Sequence, residues 1–147
     1  MTAFEQIPIG SILPQRPPFV FVDRLLYYDE KLTRTGFRVP EAGLFVEDGR
    51  LRTAGLVEHM AQSSAARIGY IARYIRHIPV QIGFIGSVRK LRIYRHPAAG
   101  EWLETEVRLQ EDIFGITLTD VTVRSGDEIL AAAALKTALS DRTIEEA

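Results

Sequence analysis

Two polar side chains stand one helical turn apart in a segment that is otherwise suited to a protein core. Glu58 and Gln62 lie within residues 54–72, which are rich in Ala, Gly, Ser and Ile. An ionised carboxylate costs free energy in a core unless it is paired or hydrogen-bonded. Glu58 is therefore either a paired structural acid or a functional group. Gln62, four residues further along the same helix face, can orient it.

The three histidines do not supply an obvious second group for acid–base chemistry. His59 is rotated about 100° from Glu58 around a helix, so a position on the helix flank is expected. His77 ends the helical segment, where the helix dipole favours a cation, and His96 lies in a turn before Pro97. These residues have no metal-ligand spacing with carboxylates, and cysteine is absent. We therefore predict no metal site and no cofactor.

The composition of the chain excludes several functional classes. The 147 residues include 18 basic and 19 acidic side chains, so no positive excess indicates nucleic acid as a partner. The absence of cysteine excludes disulfides and a cysteine nucleophile. We find no secretory signal and no apolar run of about 20 residues, so we predict a cytoplasmic protein without a membrane span. The length favours a single domain over residues 1–147, with a tail that frays from about residue 140.

A long helix must carry Glu58 and Gln62. We expect it to begin near Thr53, a suitable N-cap residue, and to continue to about Arg76. The sequence His-Ile-Pro at 77–79 then ends it. Apolar residues recur at spacings of about four along this segment, and its small residues allow another element to approach the backbone closely. The helix is therefore expected to lie in the core.

The remaining regular structure is predicted to be strands linked mostly by hairpins. Residues 102–109 alternate between two faces, as in a strand with one face buried. A loop is expected from Pro40 to Arg52, where turn-forming residues recur. The predicted strands include 19–28, 32–39, 102–109, 116–124 and 128–139. An antiparallel sheet with one face wrapped around one long helix is an α+β arrangement.

Four motifs, in order along nearly the whole chain, resemble one enzyme family. They are Leu-Pro-Gln-Arg-Pro-Pro-Phe at 13–19, Glu-His-Met-Ala-Gln at 58–62, Gly-Phe-Ile-Gly-Ser-Val-Arg-Lys at 83–90 and Arg-His-Pro-Ala-Ala-Gly-Glu at 95–101. Together they resemble the hot-dog-fold (3R)-hydroxyacyl-[acyl-carrier-protein] dehydratases. The sequence Ile-Gly-Phe-Ile-Gly-Ser-Val-Arg-Lys-Leu at 82–91 is most similar to a divergent branch linked to aryl-polyene and flexirubin-type pigment clusters.

The resemblance implies a hot-dog fold, in which a curved antiparallel β-sheet of about five or six strands wraps one long central helix. It implies a (3R)-hydroxyacyl-acyl-carrier-protein dehydratase-like protein of fatty-acid or polyene biosynthesis. Acyl thioesters would bind in a tunnel beside the helix, and an acyl carrier protein would be a partner. The chain would form a homodimer, or a heterodimer with another hot-dog protein.

The resemblance also assigns roles to individual residues. Glu58 would serve the substrate hydroxyl or an attacking water, and Gln62 would orient it. The first turn of the helix leaves backbone N–H groups unpaired, and Gly55 is placed for close approach to a thioester oxygen. The residues expected to contact the substrate are Gly55, Phe84, Ile85 and Gly86.

Basic residues follow Gly86 along the strand that the third motif implies. Lys90 and Arg92 share its outer face, whereas Leu91 and Ile93 point inward. An acidic acyl carrier protein is steered by such a patch, so these two basic side chains are candidates for carrier-protein docking. A charged outer face that limits edge pairing is the alternative.

The family's site pairs the helix acid with a histidine in the preceding loop, and this chain has none there. Leu44 stands at the corresponding position, and Gln15 replaces the histidine of the first motif. Three functions stay open: a dehydratase with a relocated base, for which Glu47 and Asp48 are candidates, an acyl thioesterase in which Glu58 activates water, and a non-catalytic partner subunit of an active hot-dog dehydratase. For Glu58 itself, the alternative to a functional role is a buried structural acid paired with an arginine across a subunit interface.

Overall fold

The computed structural model describes residues 2–144, which form one α-helix, short 3₁₀ and π segments and eight strands. The helix α1 spans Thr53–Tyr70 and continues as a π-helical segment, Ile71–Arg76. The 3₁₀-helix is Ile9–Ser11. The strands are β1 (Arg24–Tyr28), β2 (Leu32–Arg38), β3 (Val46–Glu47), β4 (Arg50–Leu51), β5 (Gln81–Ile93), β6 (Trp102–Ile113), β7 (Ile116–Ser125) and β8 (Glu128–Thr143). Within residues 2–144 no helix has the length and apolar character that a membrane span requires.

Six of these strands form one antiparallel sheet in the order β1-β2-β6-β7-β8-β5, and β3 and β4 form a separate hairpin. The turns that join β6 to β7 and β7 to β8 contain positive φ angles, which Gly115 and Gly126 adopt without the strain of a Cβ. The predicted α+β architecture, with one long helix and an antiparallel sheet of about six strands, is confirmed.

The inner face of the sheet follows the alternation of its strands. In β6, Leu103, Thr105 and Val107 are buried, whereas Glu104 and Arg108 are exposed. The main apolar core combines this face with residues of α1. Since one face of each strand must be buried, the sequence pattern is sufficient to predict which residues of β6 point inward.

The contact between α1 and the sheet also contains paired hydroxyl groups. Thr35 and Ser63 are buried, and their side-chain oxygens are 2.8 Å apart. The side-chain oxygens of Ser64 and Thr119 are 3.4 Å apart. Small side chains let the helix lie close to the sheet, and the hydrogen bonds compensate for the burial of the hydroxyls.

The N-terminal segment covers a different side of α1. Its apolar residues form a second cluster with Ala66 of the helix. The approach is close, because a Cβ on Gly69 would overlap the carbonyl oxygen of Ile12. The helix is therefore enclosed by the sheet and by the N-terminal segment, as its small residues predict.

The predicted start of the first strand is wrong, and α1 begins at Thr53 as expected but with a different N-cap residue. The first strand begins at Arg24, not at residue 19, because the backbone before it is hydrogen-bonded by helix side chains instead of by a neighbouring strand. The N-cap of α1 is Arg52, and Thr53 is already helical. The Thr53 hydroxyl lies 3.0 Å from Nε2 of His96, so a tertiary contact uses the group that a cap would need.

Strand β5 departs from strict alternation. Lys90 has a positive φ of 55°, and the register with β8 shifts between Arg89 and Arg92. This bulge leaves Leu91 38% exposed, so its predicted inward orientation is wrong. Ile93, beyond the bulge, packs against the main core as expected.

Strand β8 is longer than the sequence pattern predicts. It continues through Thr143, which lies opposite Gln81 of β5. The backbone N–H of Ile144 then donates to the carbonyl of Val80 at 2.8 Å. The prediction that the chain frays from about residue 140 is therefore wrong for 140–143, because β5 is long enough to pair with them. Residues 145–147 lie outside the described residues.

We expect Gly69→Ala to lower the free energy of unfolding by about 1–3 kcal/mol, because the added Cβ would overlap the carbonyl oxygen of Ile12. Urea unfolding followed by circular dichroism measures this change. Gly10→Ala is the matched control, since a Cβ there meets only the end of the Arg16 side chain at 3.8 Å. A Gly69→Ala protein as stable as the unsubstituted chain would contradict the close approach.

Candidate active site

A cavity of about 160 Å³ lies between α1 and the strands at one edge of the sheet, β5 and β8. Four separate parts of the sequence contribute to it. Its lining residues are Gln15, Glu58, Ala61, Gln62, Ala65, Gly83, Phe84, Ile85 and Thr137. Four of the residues predicted for the site, Glu58, Gln62, Phe84 and Ile85, therefore line one cavity.

Gln62 attaches this part of α1 to the N-terminal segment. Its side-chain oxygen accepts the backbone N–H of Phe21 at 2.7 Å, and its nitrogen donates to the carbonyl of Phe19 at 2.8 Å. The same nitrogen donates to Oε1 of Glu58 at 2.8 Å. Because the backbone contacts fix which end of the amide is the donor, Gln62 holds Glu58 in one position. Their direct contact agrees with the spacing in the sequence.

Glu58 is half-buried at this cavity. Among the described residues it has no ion-pair partner, and its hydrogen bond comes from the neutral amide of Gln62. The structural alternative places the arginine on another subunit, and it stays a prediction. A carboxylate held by a neutral donor can exchange a proton with a bound hydroxyl or water. The role of Glu58 as an acid stays a prediction.

His59 is a core residue, so the expected flank position is wrong. Its ring is fully buried and stacks on Phe37, with 5.2 Å between the ring centroids. Nδ1 lies 2.7 Å from the carbonyl oxygen of Phe21, and Nε2 lies 2.6 Å from the hydroxyl of Thr105. Since a carbonyl only accepts, Nδ1 carries the hydrogen, and Nε2 of the neutral ring accepts from Thr105.

The surroundings of His59 oppose its protonation. Burial lowers its pKa from 6.5 to about 4, although the hydrogen bond to the Phe21 carbonyl acts in the opposite direction. The ring does not line the Glu58 cavity. His59 therefore stabilises the core and cannot serve as the missing base.

Two further polar groups of the cavity are not among the predicted site residues. Oε1 of Gln15 and Oγ1 of Thr137 are buried and have no hydrogen-bond partner among the described residues. Unpaired buried polar atoms cost free energy, so these two suit contact with a bound polar group. Gln15 could be found from its position in the first motif. Thr137 could not, because alternation along β8 does not reveal which residues of α1 lie opposite.

The other predicted site residues lie elsewhere. A Cβ on Gly55 would overlap Leu51, so Gly55 contacts the loop before α1 and does not line the Glu58 cavity. Gly86 lines a different cavity, on the opposite face of the sheet. Lys90 and Arg92 are exposed on the bulged part of β5. The structure does not bring these four residues together with Glu58, and their binding roles stay predictions.

The loop carboxylates are also remote from the cavity. Glu47 and Asp48 pair with Arg52 at 3.8 and 3.2 Å, and both acids are largely exposed. Asp48 and Gly49 have positive φ and form the turn between β3 and β4. Neither acid lines the Glu58 cavity, so neither supplies a second group there.

The arrangement offers acid–base chemistry from a single carboxylate. Among the described residues that line the cavity, Glu58 is the one titratable side chain. The described part of the chain contains no cluster of three or more histidine or acidic side chains that could hold a metal ion. A reaction that moves protons at two different atoms therefore needs a second group from elsewhere.

Comparisons with known proteins find similarity over nearly the whole chain. A family model described as ApeP-like, ApeP dehydratase, matches residues 7–146. The 3-hydroxyacyl-[acyl-carrier-protein] dehydratase FabZ of Thermoanaerobacter pseudethanolicus is 26% identical over 137 residues, which cover 89% of this chain and 94% of that protein.

Solved structures are similar in fold. The dehydratase heterocomplex ApeI:P from Xenorhabdus doucetiae gives a TM-score of 0.84 at 18% identity, with 92% of this chain and 93% of that chain covered. The uncharacterized protein PH1136 from Pyrococcus horikoshii gives a TM-score of 0.63 at 12% identity, with 95% of this chain and 99% of that chain covered. At these identities the comparisons show the fold alone, and the predicted hot-dog fold is confirmed.

We expect the free energy of unfolding to fall as the pH is lowered from about 6.5 to about 4. In this range the unfolded histidine binds a proton, whereas the buried His59 does not. The difference between the two pKa values corresponds to about 3 kcal/mol in the free energy of unfolding. His59 adds no pH dependence above pH 6.5 or below about pH 4. Urea unfolding at a series of pH values measures the effect.

His59→Gln isolates this contribution from that of the carboxylates. The variant should lose less stability than the unsubstituted protein over the same pH interval. His77→Gln, which replaces an exposed histidine, should keep the original pH dependence. Parallel stability curves for His59→Gln and the unsubstituted protein would refute the assignment.

Proposed function

The chain belongs to the ApeP-like dehydratase family, and from this premise we propose that it acts on 3-hydroxyacyl thioesters carried by an acyl carrier protein. The reaction is a dehydration to the 2-enoyl thioester, a lyase reaction of fatty-acid or polyene biosynthesis. The observation that supports Glu58 as the central residue is its hydrogen bond from Gln62 beside an apolar cavity wall.

Dehydration makes three demands on a site. A base removes a proton from C2, an acid protonates the leaving hydroxyl, and donors stabilise the negative charge that develops on the thioester oxygen. In our proposal Glu58 gives its proton to the hydroxyl, which leaves as water, and Gln62 keeps the carboxylate in place. Phe84 and Ile85 contact the acyl chain. The unpaired hydroxyl of Thr137 is available to the polar end of the substrate.

The second proton-transfer group comes, in this proposal, from another hot-dog chain. The Glu58 cavity contains no other titratable side chain among the described residues, so one carboxylate supplies half of what the reaction needs. A partner with a loop histidine would supply the base at C2. The similarity to a dehydratase that is named as a heterocomplex supports a partner of this kind.

Strand β5 offers the surface for such pairing. It has 13 residues, lies at the end of the sheet and is paired with β8 alone among the described strands. Phe84, Val88 and Leu91 are 57, 37 and 38% exposed. A long edge strand with exposed apolar side chains is a ready template for a strand of another chain. We therefore place the partner's sheet against β5.

The basic residues on the β5 bulge are the proposed contact for the carrier protein. Lys90 and Arg92 are exposed, Lys90 within the bulge and Arg92 where pairing resumes opposite Ala132 of β8. An acidic carrier protein would be attracted to these side chains, and the attraction would weaken as salt is added.

Replacement of Glu58 by Gln should lower the dehydration rate by at least about 100-fold, because an amide cannot transfer the proton. The amide can still accept the hydrogen bond from Gln62, so the fold should be kept. The assay follows conversion of a 3-hydroxyacyl thioester to the enoyl thioester in the presence of a histidine-bearing hot-dog partner. Glu47→Gln, which removes an exposed carboxylate, should retain the full rate.

Two results would oppose this assignment. An unchanged rate in Glu58→Gln would show that the carboxylate does not take part in the reaction. Release of free thiol without enoyl product, measured in the same samples, would indicate an acyl thioesterase instead.

Val88→Lys combined with Leu91→Lys should weaken association with another hot-dog chain by at least about tenfold, because the apolar contact is replaced by charge. Sedimentation velocity of the chain, alone and mixed with the partner, measures association. Ile129→Lys is the control, since Ile129 is 41% exposed but belongs to β8 and not to the edge strand. Association that is equally strong in the double variant would argue against pairing through β5.

A further inference from the structure

A second cavity, of about 140 Å³, lies farther along α1, between the last part of the helix and the sheet. Part of its wall is apolar and includes Ile68, Ala72 and Leu139, and Gln81, Asp112 and Thr117 are polar members of the lining. Two arginines, Arg67 and Arg76, also line it. A cavity of about 150 Å³ accommodates one small ring, so this space suits the end of a hydrocarbon chain or a single ring.

Arg67 is the unusual residue of this cavity. It is 5% exposed, and a buried guanidinium carries five N–H donors that need acceptors. Its guanidinium makes no hydrogen bond to another described residue. The paired acid, Asp112, lies 4.0 Å from Nη2, which is beyond the length of about 2.7–2.9 Å for a charge-assisted hydrogen bond. Burial lowers the pKa of Arg67, and Asp112 and Tyr28 act in the opposite direction.

The two cavities lie end to end along one flank of α1. The helix residues that line them recur every three or four positions, as residues on one face do. These residues are Glu58, Ala61, Ala65, Ile68 and Ala72. On the sheet, Thr137 of the first cavity is the register partner of Thr117 of the second. Arg67 follows Glu58 by nine residues, or about 14 Å along the helix axis.

We propose that the Arg67 cavity binds the far end of the acyl chain whose thioester end lies beside Glu58, and that this end carries a hydrogen-bond-accepting group. The inference rests on the proposed function. A methyl terminus offers the Arg67 guanidinium no hydrogen-bond acceptor, whereas a terminal oxygen group does. A carboxylate can accept two parallel hydrogen bonds from one arginine, and a hydroxyl can accept one. Arg76 adds a second positive charge at the exposed side of the cavity.

Calorimetric titration with three stable analogues tests this assignment. The probes are acyl-pantetheine amides of equal chain length that end in a methyl, a hydroxyl or a carboxylate group. The full-length protein, in the oligomeric state in which it purifies, should bind the carboxylate-ended probe at least about tenfold more tightly than the methyl-ended probe. The hydroxyl-ended probe should bind with intermediate affinity.

Variants then assign the preference to one side chain. Arg67→Met should abolish it, and Arg67→Lys should retain part of it because the positive charge stays. Arg89→Gln removes an exposed arginine outside both cavities and should leave the preference unchanged.

The outcomes separate the role of Arg67 from the proposed function. Equal binding of the three probes by the unsubstituted protein, or a preference that survives in Arg67→Met, overturns the role of Arg67 and leaves the proposed function standing. Absence of binding by any probe overturns the proposed function and this inference together. The comparison among probes needs no variant, so it decides the question even where Arg67→Met fails to fold.

Discussion

The backbone of residues 19–21, of which Phe21 is buried, sets the constraint on which the site depends. These residues pass beside α1 without belonging to a strand, so their polar groups need partners other than a sheet. Gln62 and His59 both hydrogen-bond to the backbone of Phe21. An apolar side chain at either helix position would leave a buried backbone group unpaired, at a cost of about 1–3 kcal/mol. The polar residues of the central helix therefore stabilise the fold, and the position of Glu58 follows from that attachment.

In the proposed reaction Glu58 donates a proton, and the neutral amide of Gln62 is suited to hold such an acid in place. An arginine at hydrogen-bonding distance would favour the charged form of Glu58 and make the proton harder to keep at the start of the reaction. Gln62 instead fixes the carboxylate while adding no charge, and both ends of its amide are already fixed by the backbone. Because the cavity offers no second titratable side chain among the described residues, the proposed dehydration needs a second proton-transfer group from another chain.

The parts of the structure that could be predicted are those that depend on local periodicity. The alternation in residues 102–109 and the length of α1 result from burying one face of an element, so the sequence reveals them. Residues 19–21 have the composition of a strand, but helix side chains far along the chain replace the strand partner. The burial of His59 and the unpaired hydroxyl of Thr137 depend on how α1 lies on the sheet. Periodicity carries no information about that placement.

The hydroxyl pairs between α1 and the sheet limit how the binding space can be widened. Apolar contacts between small side chains allow a helix to rotate or slide, whereas hydrogen bonds are directional. The contacts of Ser63 with Thr35 and of His59 with Thr105 therefore fix the rotation of α1 about its own axis. With the helix fixed, the width of the Glu58 cavity depends on the side chains that β5 and β8 contribute to it. If the cavity holds the acyl chain as proposed, acceptance of a bulkier chain depends on strand residues such as Ile85, and the helix keeps its position.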